Sequence, residues 1–233
     1  MSFERGAPGP AATEPALPLA NADGTVIVTI SREYGAAGLA VADGVAAALA
    51  YELFSDELPR RVAAKLGTSA DEVAERASGE PSLPERLLAG LGEGTAEVVS
   101  ARAPALAGDF DESVRREIEA AIRERAGRGN VVILGRNAGT VLGSRPDLIR
   151  TFLTANLEWR VARILASFGG DRPQVLADIE RIDAGRRKIA KDRYKVAWSD
   201  ARSYDLTIDV SRVGIAGAVT LVTQAVLAAE VAL

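Results

Sequence analysis

The sequence predicts an α/β protein: a parallel sheet with helices on both faces. Three observations carry this. A strand rich in β-branched residues runs through a glycine turn into an alanine-rich helix, strand-then-helix order repeats along the chain, and 233 residues, 48% hydrophobic and 26% charged, suit one sizeable domain.

The first unit, Thr25–Leu49, organises the rest. Val26, Ile27, Val28 and Ile30 form a near-continuous apolar run, as in a strand covered on both faces. Arg32-Glu33-Tyr34-Gly35-Ala36-Ala37-Gly38 is the turn, and Leu39–Leu49 the helix. Strand, glycine turn and helix is the layout of a phosphate-binding loop, where amide N–H groups converge and the helix dipole adds positive character. A full loop of this kind reads G-x-x-x-x-G-K-[ST]. If Gly35 takes the middle position, Gly38 stands where Lys belongs; if Gly38 closes the loop, Leu39 and Ala40 replace Lys and Ser/Thr.

Residues 1–22, rich in Pro, Ala and Gly, read as a disordered tail and not as a signal peptide, so a cytoplasmic location is expected. Residues 23–233 read as one domain. Tyr51–Asp56 suggests a short second strand with an acid at its carboxyl end, the edge where ligands of open parallel sheets gather. Glu57–Leu66 and Ser69–Ala77 read as short helices, and residues 56–109, punctuated by Gly and Pro, as a mobile helical insertion. Asp111 opens an amphipathic helix with Val114, Ile118, Ala121 and Ile122 on one face. Asn130–Leu134 is the next buried strand and leads into Gly135-Arg136-Asn137. Leu148–Thr154 is a strand, Leu157–Leu165 marks a helix, Pro173–Tyr194 is a long charged helix, and Asp205–Val210 is the last strand. The apolar run Val213–Leu233, broken by Thr220, Thr223, Gln224 and Glu230, reads as a buried helix packed on the sheet in preference to a membrane span.

Composition excludes several chemistries. With no Cys and no His there is neither thiol nucleophile, imidazole base nor zinc site of the usual kind, and no metal ligand is assigned. A net charge of -4 argues against general affinity for nucleic acid or anionic membrane, so the expected partner is a small anion. A homodimer through the apolar Leu83–Val99 region is one further expectation.

GRNAGTVL at Gly135–Leu142, followed by TFLTANLEWRVARI from Thr151, resembles the cytidylate kinases, whose stretch reads GRDxGTVV and then FLTAS with a basic helix. Ser31–Gly35, Leu157–Arg160 and Tyr204–Leu206 are similar to the SREYG, LEWR and YDL segments of the cytidylate kinase-like family, over some 200 residues. The resemblance implies a P-loop nucleoside monophosphate kinase fold: a five-stranded parallel sheet, a mobile helical acceptor-binding region at 56–109 and an arginine-rich lid at 171–200. It implies ATP and Mg²⁺ as cofactors and nucleotides as partners. By the same resemblance Gly35, Ala36, Ala37, Gly38 and Leu39 hold the donor phosphates. Asp56, Arg136, Asn137 and Asp183 bind the acceptor, and Arg32, Arg136, Arg186 and Arg187 serve phosphoryl transfer. Asn137 stands where cytidylate kinases carry Asp, and the turn has Ala37, Leu39 and Ala40 where the related family keeps a third glycine and a polar or basic residue. Two functions are therefore open: an atypical ATP-dependent nucleotide kinase, or a pseudokinase acting as a nucleotide sensor or interaction module.

Overall fold

The computed structural model describes residues 25–55, Ala63, Gly67 and 107–232, with side chains given for 112–229 of the last stretch. The expected tail, nearly all of the 56–109 insertion, Asp56 and the Leu83–Val99 surface lie outside the described residues.

Five strands, β1 (Ile27–Arg32), β2 (Glu52–Phe54), β3 (Val131–Leu134), β4 (Leu148–Thr154) and β5 (Leu206–Asp209), form one sheet in the order β2-β3-β1-β4-β5. Every pairing is parallel, with Ile30 beside Leu134 on one side and Thr151 on the other. Among the described residues the α-helices with defined bounds are α1 (Gly38–Leu49), α2 (Ala107–Ala126), α3 (Ala138–Leu142), α4 (Leu157–Phe168), α5 (Arg172–Tyr194) and α6 (Val210–Ala232).

Alternation along β1 builds two cores. Val26, Val28 and Ile30 pack with Val41 and Val45 of α1 and with Val222 and Val226 of α6. Ile27 faces the other way, with Val114, Ile118 and Ile122 of α2 and Val141 of α3. Successive side chains of a strand point to opposite faces, so one apolar run supplies both layers. Burying such side chains stabilises by about 1.5–3 kcal/mol each.

α6 differs from the expectation of burial. It starts directly at the end of β5 and bends at Gly214, whose φ of 73° and ψ of 169° are not helical. Ala218, Val222 and Val226 are fully buried, spaced so that they share one stripe, while Val213, Leu221 and Leu227 on other faces are 43–47% exposed. The helix lies on α1 closely enough that a Cβ at Gly44 would come 2.7 Å from Val219. Its apolar stretch Val210–Ala229 is long enough to cross a membrane by length and composition, yet its inner stripe is occupied by the sheet and α1.

Candidate active site

β1 and β3 end side by side, which brings two loops together at the carboxyl edge of the sheet. The β1 loop is held from several sides. Glu33 accepts hydrogen bonds from the Thr154 hydroxyl (2.6 Å) and the Ala155 N–H (3.1 Å), tying the turn to the end of β4. The Tyr34 N–H donates to Asp183 Oδ1 at 2.8 Å. Gly35 has φ +83° and lies against α4, where a Cβ would be 2.9 Å from Ile164 and 3.2 Å from the Arg160 carbonyl. No larger residue fits there.

The register left open by the sequence is settled by the backbone. Ala37 precedes α1 in the left-handed conformation (φ 59°, ψ 26°), and Gly38 is the first helical residue. A left-handed residue just before the helix occupies the closing-glycine position, so Gly38 falls where the motif carries Lys and Leu39 where it carries Ser/Thr. Ala37 makes no side-chain cap, so no side chain of the N-cap takes the first amides of α1. Leu39 is 53% exposed.

The β3 loop is more unusual. Gly135, Arg136 and Asn137 are three successive left-handed residues, at φ 78°, 60° and 52°. For Arg and Asn this costs about 1–2 kcal/mol each. The Gly135 N–H continues the sheet by donating to Ile30 O at 2.8 Å, and the Asn137 carbonyl opens α3 by accepting from Thr140 and Val141. Arg136 and Asn137 line both of the pockets found at this edge.

α5 closes over this edge. It is N-capped by Asp171, which accepts from the Gln174 N–H at 2.8 Å, and Val175, Ile179, Ile182, Arg186 and Ala190 form its buried stripe. Arg186 donates to the Arg32 carbonyl at 2.7 Å, and Arg160 of α4 donates to Asp183 at 2.7 Å and to the Tyr34 carbonyl at 3.3 Å. Asp183 is 3% exposed. Burial pushes its pKa up, against the opposing pull of the Tyr34 N–H and the two arginines.

Among the described residues, two small pockets open at this edge. One, about 30 Å³, is lined by Ser31, Arg32, Arg136, Asn137, Arg186 and Trp198 among others; the second, about 10 Å³, adds Arg115, Arg193 and Tyr194 to Arg136 and Asn137. Arg115 is held by Glu112 and by Glu119 at 2.6 Å. Burial first, then the Glu119 charge and hydrogen bond, push Tyr194 up to about 12.

Of the residues singled out in the sequence, Arg32, Arg136, Asn137 and Arg186 therefore meet at one cleft, while Gly35–Ala37 form the adjoining turn and Gly38 and Leu39 open α1. Asp183 is turned into the contact between α5 and the β1 loop. Arg187 is on the outside, paired with Glu180 at 2.9 Å, and Asp56 is outside the described residues. Arg115, Arg160 and Arg193 are not among the site residues singled out from the sequence, and Trp198 is a core residue packed edge-on against Phe152. For Arg193 a signal existed: it falls seven residues after Arg186, on the same helical stripe. Among the described residues no group of three or more acidic side chains could hold a metal ion.

A five-stranded parallel sheet between helical layers, with a glycine turn and convergent arginines at its carboxyl edge, defines an α/β protein of the P-loop kinase type. Residues 27–212 match the model of the cytidylate kinase-like family, and the chain belongs to that family. Over 122 residues it is 34% identical to a cytidylate kinase from Methanocaldococcus jannaschii, a match covering 51% of this chain and 65% of the relative. The chain thus spans just under two thirds of that relative's length. A solved structure of an uncharacterised protein from Eubacterium ventriosum matches with a TM-score of 0.62 at 22% identity, covering 86% of this chain and 98% of the other. A shikimate kinase from Bacteroides thetaiotaomicron matches at 0.50 and 13% identity, covering 87% and 99%; both likenesses are of fold.

Proposed function

We propose that the chain is an ATP-dependent nucleotide kinase that transfers the γ-phosphoryl group of ATP to a nucleoside monophosphate or a related small acceptor in the cytoplasm. The observation that carries this reading is the convergence of arginines from three elements, the end of β1, the β3 loop and α5, on one cleft at the ligand edge of the sheet. Phosphoryl transfer asks little covalent work of a protein. It needs positive charge around the phosphoryl oxygens, alignment and exclusion of water.

In this reading the uncapped start of α1 and the Gly35–Gly38 turn take the donor phosphates. Arg136, with Arg115 and Arg193 beside it in the second cavity, takes the acceptor phosphate, because planar guanidinium forks grip phosphate oxygens bidentately. An oxygen of the acceptor phosphate attacks the γ-phosphorus, the bond to the β–γ bridging oxygen breaks, and ADP departs with that electron pair. The segment 171–200 serves as the lid. Gly169 and Gly170, at φ 72° and 90°, join α4 to α5 and give the lid its hinge, about which α5 lifts to admit nucleotides. Asp183, Arg160 and Arg186 latch the closed position, and Arg186 exchanges the Arg32 carbonyl for a phosphate oxygen when ligand is present.

Mg²⁺ does not fit a protein-ligated site at this loop. Leu39 offers no oxygen where the motif has a hydroxyl, so an ion would be carried by phosphate oxygens and water.

The same Gly38 and Leu39 favour a second reading, a pseudokinase that binds nucleotide without turnover. Titration calorimetry with ATP and with CMP separates the roles: Arg136→Ala should weaken acceptor binding about 10–100-fold and leave ATP binding nearly unchanged. Equal losses for both ligands would remove Arg136 from the acceptor site.

A further inference from the structure

Positions 32 and 38 of the loop have exchanged residue types. In the register fixed by Ala37, the motif G-x-x-x-x-G-K runs from 32 to 38, with Gly at its first position and Lys at its last. This chain has Arg32 at the first and Gly38 at the last. The two are also in contact. A Cβ built on Gly38 would lie 2.6 Å from Arg32 Cγ and 3.0 Å from Cδ, so the stem of Arg32 fills the space through which a side chain at 38 would leave the helix. Farther out, the guanidinium reaches the β3 loop, where a Cβ on Gly135 would collide with Nη1. The head group then lines the same cavity as Arg136 and Arg186.

We propose that Arg32 delivers, from the end of β1 and across Gly38, the positive charge that the motif's lysine delivers from the first turn of the helix, and that its ligand is the terminal phosphates of a nucleoside triphosphate. The inference rests on the donor-site reading of the β1 loop and goes beyond it in naming the cation. Glycine at 38 is then a condition of the exchange, because any side chain there displaces the arginine. Glycine at 135 is a second condition, since the guanidinium passes over it. The Arg32 carbonyl accepts from Arg186, so the replacement cation is tied to α5 and is sensed by the proposed lid, which a helix lysine would not be.

The test uses the full chain, with inorganic tripolyphosphate and ATP titrated calorimetrically into the wild type, Arg32→Gln, Arg32→Lys, Gly38→Lys and the double variant Arg32→Gly with Gly38→Lys, each checked for folding by thermal melting. Arg32→Gln keeps most of the stem but removes the charge; it should weaken tripolyphosphate and ATP binding about 10–100-fold with the melting temperature little changed. Arg32→Lys should retain part of the affinity. Gly38→Lys alone should lower the melting temperature without tightening binding, and the double variant should recover binding to within about tenfold of wild type, an outcome that a purely bracing role for Arg32 does not produce. Wild-type affinity in Arg32→Gln would overturn the proposal and leave the kinase reading intact. A folded double variant that binds no better than Arg32→Gln would also overturn it. Absence of binding in the wild type would overturn both.

Discussion

Replacing Arg136 by alanine and, separately, by glycine divides the residue's two properties. Both variants lose the guanidinium; only glycine relieves the left-handed backbone at φ 60°. The relief is about 1–2 kcal/mol, and glycine's greater freedom in the unfolded chain returns about 0.5–1 kcal/mol of it. Arg136→Gly should therefore be more stable than Arg136→Ala by about 1 kcal/mol, or ~2–4 °C in melting temperature for a chain of this length. Urea unfolding and thermal melting measure that difference. Acceptor titration of the same two proteins should show the same loss of affinity, about 10–100-fold. A strained residue kept only for its side chain gives this pattern: stability and binding move independently. An alanine variant as stable as the glycine variant would refute the strain argument, and unchanged acceptor affinity in either would refute the role of the guanidinium.

Three other outcomes follow from the same geometry. Ala37→Gly should stabilise the protein by up to about 1 kcal/mol in urea unfolding, since Ala37 is left-handed at φ 59°; a loss of stability would contradict the register assigned to the loop. Asp183→Ala should destabilise by about 3–5 kcal/mol, because it leaves the buried Arg160 and Arg186 and the Tyr34 N–H without their shared carboxylate, and a loss below about 1 kcal/mol would show that the latch is unimportant. Asp205 tests the acid side. Burial pushes its carboxyl up, but the Arg150 side chain and backbone N–H together hold it below the usual carboxylate range. A lowered carboxyl adds stability above its unfolded pKa and loses it as pH falls through the folded one, so the stability gap between wild type and Asp205→Asn should narrow below about pH 4. A gap independent of pH would argue against the pairing.

Much of the fold was legible because burial writes itself into residue type. β4 is bounded as Leu148–Thr154 in both sequence and structure, and β1 differs only at its ends, since a strand covered on both faces is an unbroken apolar run. β2 was harder: Tyr51 and Ser55 share the local character of Glu52–Phe54, and only pairing with β3 defines where the strand stops. Arg136 was visible as a basic residue directly after a buried strand. Choosing between Arg186 and Arg187 required a helical phase. Adjacent residues point about 100° apart, and Arg186 continues the stripe Val175–Ile179–Ile182 while Arg187 does not. Ala37's backbone conformation has no signature in an alanine, so the loop register, and with it the meaning of Gly38, became readable only in three dimensions. The contacts of Arg160 with Asp183 and Tyr34 join residues up to 126 positions apart and are set by topology alone.

The most direct measurement is product analysis by phosphorus NMR on the purified full chain with ATP and Mg²⁺, after addition of CMP, UMP, AMP and dCMP in turn. The account predicts that at least one acceptor is converted to its diphosphate with stoichiometric ADP, at a rate reduced about 100-fold or more by Arg136→Ala. ATP binding with no diphosphate from any acceptor would contradict it and establish the nucleotide-sensing pseudokinase instead.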